Sequence, residues 1–233
     1  MTICKGSPLR VAFVLFHGPG YFLSAFFVCF RKSTYLCGMK LSNDALSDIK
    51  TAVDVLRRGG VIVYPTDTVW GIGCDATNEE AIRRIYAIKQ RDDHKAMITL
   101  VDSLAMLERT VEGIPDVAYD LIETAVTPLT IIYDKGIGVA PALMGDDGTL
   151  AVRVTAEAIS AELCRRLGRP VVSTSANISG QPTARSFSEI APEILESADY
   201  VCVSRRDEDV KADVKPSTVM RLCADSSFKI LRK

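Results

Sequence analysis

The sequence predicts an α/β protein built on an open, twisted, mixed sheet with flanking helices. Short apolar runs rich in β-branched residues, such as Val61–Tyr64, Leu129–Tyr133 and Leu150–Val154, read as strands, and between them lie segments whose apolar residues recur at helical spacing. The alternation is irregular and ends in a run of strands near Tyr200–Val203, Val219–Leu222 and Phe228–Leu231. A mixed sheet therefore fits better than a purely parallel one.

Taken in order, Ser42 or Asn43 can cap a helix with Leu46, Ile49, Val53 and Leu56 on one face, ended by Gly59-Gly60. The strand Val61–Tyr64 follows. Thr77 or Asn78 can cap a second helix with Ile82, Ile85 and Ile88 inward, which puts Lys89 and Arg91 at or just beyond its C-terminal end. Met97–Val101 reads as a strand, Asp102 caps the next helix, and Pro115 opens one reaching Ile122. The stretch from Asp134 to Gly148 is rich in Gly and Asp, and its length predicts a mobile lid. Arg153 lies in the strand Leu150–Val154, Glu157–Leu167 is helical, and Val171-Val172 is a brief strand before a hydroxyl-rich turn. Phe187–Leu195 reads as a helix.

With 233 residues, 48% apolar and 24% charged, the chain can bury one sizeable core. A net charge of −1 argues against wholesale electrostatic binding to nucleic acid but permits a local basic groove. Seven scattered cysteines, without a C-x-x-C pair and with only two histidines, fit neither a zinc site nor a disulfide framework; a reducing cytoplasm suits them. Residues 1–38 break the pattern. Val11–Phe30 is nearly all apolar, flanked by basic residues and interrupted by Gly18-Pro19-Gly20, so it has the length of a signal or anchor. Met39-Lys40-Leu41, however, leads straight into the first capped helix. We expect a non-family extension over 1–38, either a misassigned start or an apolar segment, a single domain over 39–233, and no membrane association.

Three segments carry chemistry. In Tyr64-Pro65-Thr66-Asp67-Thr68-Val69-Trp70-Gly71 a strand runs into hydroxyls and a carboxylate, a pattern that serves equally for a ligand or for a self-capped turn. Lys89-Gln90-Arg91 with Lys95 follows one helix later, where cations also offset the helix dipole. Ser173-Thr174-Ser175-Ala176-Asn177-Ile178-Ser179-Gly180 offers a hydroxyl-rich turn that can hold phosphate or simply cap itself. A G-x-x-x-x-G-K-[ST] loop is absent, so nucleotide phosphates would have to be met by side-chain cations and hydroxyls.

In this order the three segments resemble the YrdC-like family of threonylcarbamoyl-adenylate synthases, over about Leu41 to Arg232. The resemblance implies an open α/β fold with a concave basic cavity, and synthesis of threonylcarbamoyl-AMP and pyrophosphate from L-threonine, bicarbonate and ATP for tRNA modification. It makes Thr68, Arg153 and Ser217 contacts to threonine, with Arg153 on the carboxylate. Arg91, Lys95, Thr149, Ser173, Ser175, Asn177 and Arg232 become nucleotide-binding positions, and Lys89 and Arg91 supply catalytic charge. Mg2+ would arrive with ATP, without a protein metal site. Downstream tRNA threonylcarbamoyl transferase proteins would take the product. Ala96-Met97, Leu100 and Val126-Thr127-Pro128 depart from the family pattern, which bears on the acceptor amino acid, and the chain matches the short, single-domain form. The alternatives are a module binding double-stranded RNA or tRNA through the same basic surface, and a nucleotide-binding paralogue with another acceptor.

Overall fold

The computed structural model describes residues 9–13, 27–31, 41–90, 97–208 and 216–232. The chain divides into two compact units, Met1–Met39 and Lys40–Lys233. In the first, β1 (Leu9–Phe13) pairs antiparallel with β2 (Phe27–Arg31). No helix among the described residues is long and apolar enough to cross a membrane.

The second unit begins with α1 (Asn43–Arg57), where the Ser42 hydroxyl accepts from the Ala45 amide at 3.1 Å and Ile49, Ala52, Val53 and Leu56 are buried. Gly59, at φ 80°, turns the chain into β3 (Ile62–Tyr64), which is wholly buried. β4 (Gly71–Gly73) returns antiparallel to it. Asn78 caps α2 (Glu79–Lys89), which stops where Gln90 adopts a left-handed conformation. β5 (Ile98–Val101), α3 (Leu104–Glu108), α4 (Asp116–Thr124), β6 (Leu129–Tyr133), β7 (Leu150–Val154) and α5 (Ala158–Leu167) follow. The chain ends through β8 (Val171–Ser175), α6 (Pro192–Ser197), β9 (Tyr200–Val201), β10 (Thr218–Leu222) and β11 (Phe228–Arg232).

Nine of these strands form one sheet, in the order β11-β10-β6-β7-β5-β8-β4-β3-β9. The pairs β10/β6, β5/β7 and β3/β9 are parallel and the others antiparallel, so the sheet is open and mixed as expected. Its core runs through Val63, Ile72, Leu100, Val152 and Val172, with α1 packed on β3, β9 and α5. Cys74, Cys164 and Cys202 are free, buried thiols whose pKa values burial pushes up, which makes them poor nucleophiles.

Five local expectations are corrected. β4 was not expected, because Gly-Ile-Gly carries little strand signal; a Cβ at Gly73 would lie 2.2 Å from the Val172 carbonyl oxygen, so only glycine permits this strand spacing. β8 extends through Ser175, so Ser173 and Ser175 are ladder residues and not members of a turn. Ser103, rather than Asp102, caps α3, accepting from the Met106 amide while donating to Asp102. The helix expected over Phe187–Leu195 is a 3-10 turn (Phe187–Glu189) followed by α6, because Pro192 lacks an N–H and restricts Ala191. The stretch from Asp134 to Gly148 is tied down and is no free lid. Its Gly136 amide donates to the Gly148 carbonyl, Ala140 donates to Ala76, the Ala142 amide donates to Glu79, and Leu143 is buried.

Candidate functional site

A cavity of about 640 Å³, well within the range of small-molecule sites, lies along the consecutive strands from β4 through β8, β5, β7, β6 and β10 to β11. Thr66 and Thr68, Arg153, Ser173 and Ser175, and Ser217 and Arg232 reach it from four separate parts of the chain.

The first wall is the turn after β3. Pro65 ends the strand, and the Thr66 hydroxyl then donates to the Val69 carbonyl at 2.7 Å and accepts from the Thr68 amide at 3.1 Å, with the Thr68 hydroxyl also 3.1 Å away. The turn is thus self-capped, and its two threonines face the cavity all the same. Support comes from behind. Asp48 accepts from the Tyr200 hydroxyl and the Val203 and Ser204 amides, and Arg205 donates from that bend to the Thr66 carbonyl at 3.2 Å. Burial alone would raise the Asp48 pKa, but the hydrogen bonds from Ser204, Tyr200 and Val203 hold it below the usual carboxylate range.

Arg153, on β7, is only 4% exposed. Its Nη2 lies 3.3 Å from Asp67 Oδ1, an ion pair without hydrogen-bond geometry, and its buried Nε has no hydrogen-bond partner among the described residues. A buried guanidinium that lines a cavity, with only one carboxylate beside it, is suited to a ligand that offers an acceptor.

On β8, Ser173 and Ser175 line the floor. The Ser175 hydroxyl donates to Asn177 Oδ1 at 2.5 Å, and Asn177 Nδ2 donates to the Gln181 carbonyl at 2.7 Å. Lys89 is 1% exposed, and its Nζ donates to the carbonyls of Ser175 and Asn177 at 2.5 and 2.7 Å. Lys89 and Asn177 therefore brace the end of β8 from behind and are not among the residues lining the cavity. At the far wall Ser217 shares a 3.0 Å hydrogen bond with Thr130, and Arg232 donates to the Ser217 carbonyl and hydroxyl at 3.0 and 3.2 Å.

Thr149 is not brought to this cavity. It precedes β7 at the end opposite Arg153, where its hydroxyl donates to Asp147 at 2.6 Å. That bond, more than the nearby Arg221, holds the Asp147 carboxyl below its ordinary range. Arg91 and Lys95 lie outside the described residues, as does most of the extension before Met39. Of the departures from the family pattern, Met97 lines the cavity, Leu100 is buried in the core of β5 and Val126 is fully exposed. Sequence reasoning missed Thr130, Thr183 and Arg185, which also line the cavity. Thr130 is indistinguishable from any other strand threonine, and Arg185 belongs to no motif.

The fold and the site define a class: an open α/β protein with a small-molecule cavity that carries arginines and hydroxyls and, among the described residues, no lining carboxylate. A family model for Sua5, YciO and YrdC, described as "Telomere recombination", matches residues 54–233. Threonylcarbamoyl-AMP synthase of Stenotrophomonas maltophilia strain K279a is 40% identical over 156 residues, 66% of this chain and 84% of the relative. That of Pseudoalteromonas translucida strain TAC 125 is 36% identical over 176 residues, 74% of this chain and 92% of the relative. Among solved structures, P. abyssi Sua5 complexed with L-threonine matches with a TM-score of 0.71 at 30% identity, over 79% of this chain. This chain spans about half of that protein, 53% of its length. E. coli YciO matches with a TM-score of 0.70 at 28% identity, over 83% of this chain and 91% of the neighbour. The chain belongs to the Sua5/YciO/YrdC family.

Proposed function

We propose that this chain is an L-threonylcarbamoyladenylate synthase, a nucleotidyltransferase that joins L-threonine, bicarbonate and ATP into threonylcarbamoyl-AMP and pyrophosphate. The observation that carries the reading is the buried Arg153 at the cavity, with Asp67 ion-paired beside it at 3.3 Å. An amino-acid zwitterion fits that pair: its carboxylate meets the guanidinium fork and its amine lies toward Asp67. Relatives named threonylcarbamoyl-AMP synthase and the Sua5 complex with L-threonine support the same assignment.

In the reaction the threonine amine adds to carbon dioxide drawn from bicarbonate, loses a proton and becomes an N-carboxy group. One oxygen of that group bonds to the α-phosphorus of ATP as the bond from phosphorus to the bridging oxygen breaks, and pyrophosphate leaves with the electron pair. Arg153, Thr68 and Ser217 hold and orient threonine, so that the new carboxylate lies in line with the α-phosphate. Ser173, Ser175 and Arg232 contact the nucleotide, with Arg91 and Lys95 assigned the same role from the family pattern. Lys89 and Asn177 fix the end of β8 on which those hydroxyls stand. The lining offers hydroxyl oxygens and no carboxylate among the described residues, a donor set that suits Mg2+ carried in by the nucleotide phosphates, where it would neutralise phosphate charge. The product would pass to proteins that transfer the threonylcarbamoyl group to tRNA.

The test incubates the full chain with labelled bicarbonate, L-threonine and ATP. An acid-labile threonylcarbamoyl adenylate, formed with stoichiometric pyrophosphate and dependent on threonine, is expected. Adenylate formed equally well with serine or another amino acid would replace threonine as the acceptor, and no adenylate with any amino acid would overturn the proposal.

A further inference from the structure

We propose that Arg185 is a contact for the β- and γ-phosphates of ATP and for the pyrophosphate that leaves, a role that rests on the adenylate chemistry proposed above. Three arginines line the cavity, and two of them are engaged. Arg153 faces Asp67, and Arg232 is bound to Ser217. The Arg185 guanidinium has no hydrogen-bond or ion-pair partner among the described residues; the carboxylate of Glu189 is taken up by the Arg185 backbone amide at 2.7 Å.

This cation stands on a fixed backbone. Before it, Asn177 holds the Gln181 carbonyl, the Gln181 amide donates to Ile178, and Ala184 is 4% exposed. After it, Phe187 packs on Trp70 with ring centroids 5.1 Å apart, and the Arg206 guanidinium sits 4.6 Å over the Phe187 ring. A segment anchored on both sides, presenting an exposed arginine that has no partner among the described residues to a cavity that none of their carboxylates lines, is suited to a mobile anion.

Geometry selects which phosphates. In an in-line displacement the leaving group departs on the side opposite the attacking oxygen. With the amino acid held at the buried Arg153, the leaving pyrophosphate points away from it toward solvent, and Arg185 is the exposed cation of the lining without a protein partner among the described residues.

Titration calorimetry on the full chain tests this with four probes: ATP, inorganic pyrophosphate, AMP and L-threonine. Arg185→Ala and Arg185→Gln should weaken ATP and pyrophosphate about tenfold, the effect expected of one lost charge-assisted contact. AMP and threonine affinities should stay within about twofold and the melting temperature should not move, while Arg185→Lys should recover part of the loss. Equal weakening of AMP and ATP would overturn the proposal by assigning Arg185 to the α-phosphate or the nucleoside. No change with any probe, or a wild-type chain that does not bind pyrophosphate, would also overturn it. Should the wild type make no adenylate and yet lose pyrophosphate binding on Arg185→Ala, the anion contact stands and the synthase reading falls.

Discussion

Lys89→Met removes the ammonium that ties α2 to the end of β8 and keeps most of the aliphatic volume that fills its buried position. Two charge-assisted hydrogen bonds are lost. Each such bond is worth roughly 1.5–3 kcal/mol, but two offsets apply. The Ser175 carbonyl keeps the Asn177 amide at 2.9 Å, and folding no longer has to desolvate a buried cation. A net destabilisation of about 2–4 kcal/mol follows, which for a chain of this size lowers the melting temperature by roughly 5–15 °C. Urea unfolding followed by circular dichroism should show a lower midpoint at unchanged m-value, because the same surface is exposed on unfolding. Adenylate synthesis should fall as well, with the Michaelis constant for ATP rising, since Ser173 and Ser175 stand on the strand that Lys89 pins. A variant that melts within about 1 °C of wild type but loses activity would refute the bracing argument and return Lys89 to the ligand, because bond losses of this size cannot leave stability untouched.

Arg153→Lys keeps the charge and loses the bidentate fork, so the Michaelis constant for threonine should rise about tenfold or more with ATP binding nearly unchanged; a collapse of ATP affinity instead would assign Arg153 to phosphate. Asp48→Asn should destabilise the chain by about 1–3 kcal/mol at pH 7 through weakened acceptors for Val203, Ser204 and Tyr200. Because the folded pKa of Asp48 lies below its unfolded value, near 3.9, its ionised form stabilises the fold above about pH 4, and that contribution disappears as pH falls through the lower folded value. Urea titrations of wild type and variant at pH 7 and pH 3 should therefore show the stability gap closing in acid, and a constant gap would contradict the argument. Gly73→Ala forces a Cβ to within 2.2 Å of the Val172 carbonyl and 3.0 Å of the Tyr64 ring, so strand spacing must give at a cost of about 1–3 kcal/mol; an unchanged melting temperature would show that β4 and β8 separate freely.

The helices were legible because their signals are local. Ser42 and Asn78 bind the amides that their positions predict, and Ile49, Val53, Ile82 and Ile85 fall on the buried faces. The site segments were legible as segments, since hydroxyls and charges cluster at strand ends, but their arrangement was not. Ser173-Thr174-Ser175 has turn chemistry, and it is an interior strand only because β5 and β4 flank it on both sides, a non-local fact. Gly71-Ile72-Gly73 hides for the converse reason: its glycines mark the close approach of neighbours that the local sequence does not contain. Thr149 and Arg153 are separated by one strand length, so their nearness in sequence conceals that they stand at opposite ends of β7. Ser217 and Thr130 meet only through the parallel pairing of β10 with β6.

The wall formed by Ser217 and Arg232 has a consequence for how the molecule comes into being. Ser217 precedes β10 and Arg232 lies in β11, and they join Thr68, Arg153 and Ser175 only once β10 has docked along β6. During vectorial synthesis, the strands that carry the earlier residues emerge well before that final hairpin. A nascent chain can thus assemble most of its sheet while the cavity still stands open on one side, and no chain released short of Arg232 presents the complete set of groups. Occupancy by ligand then reports that β10 and β11 have docked.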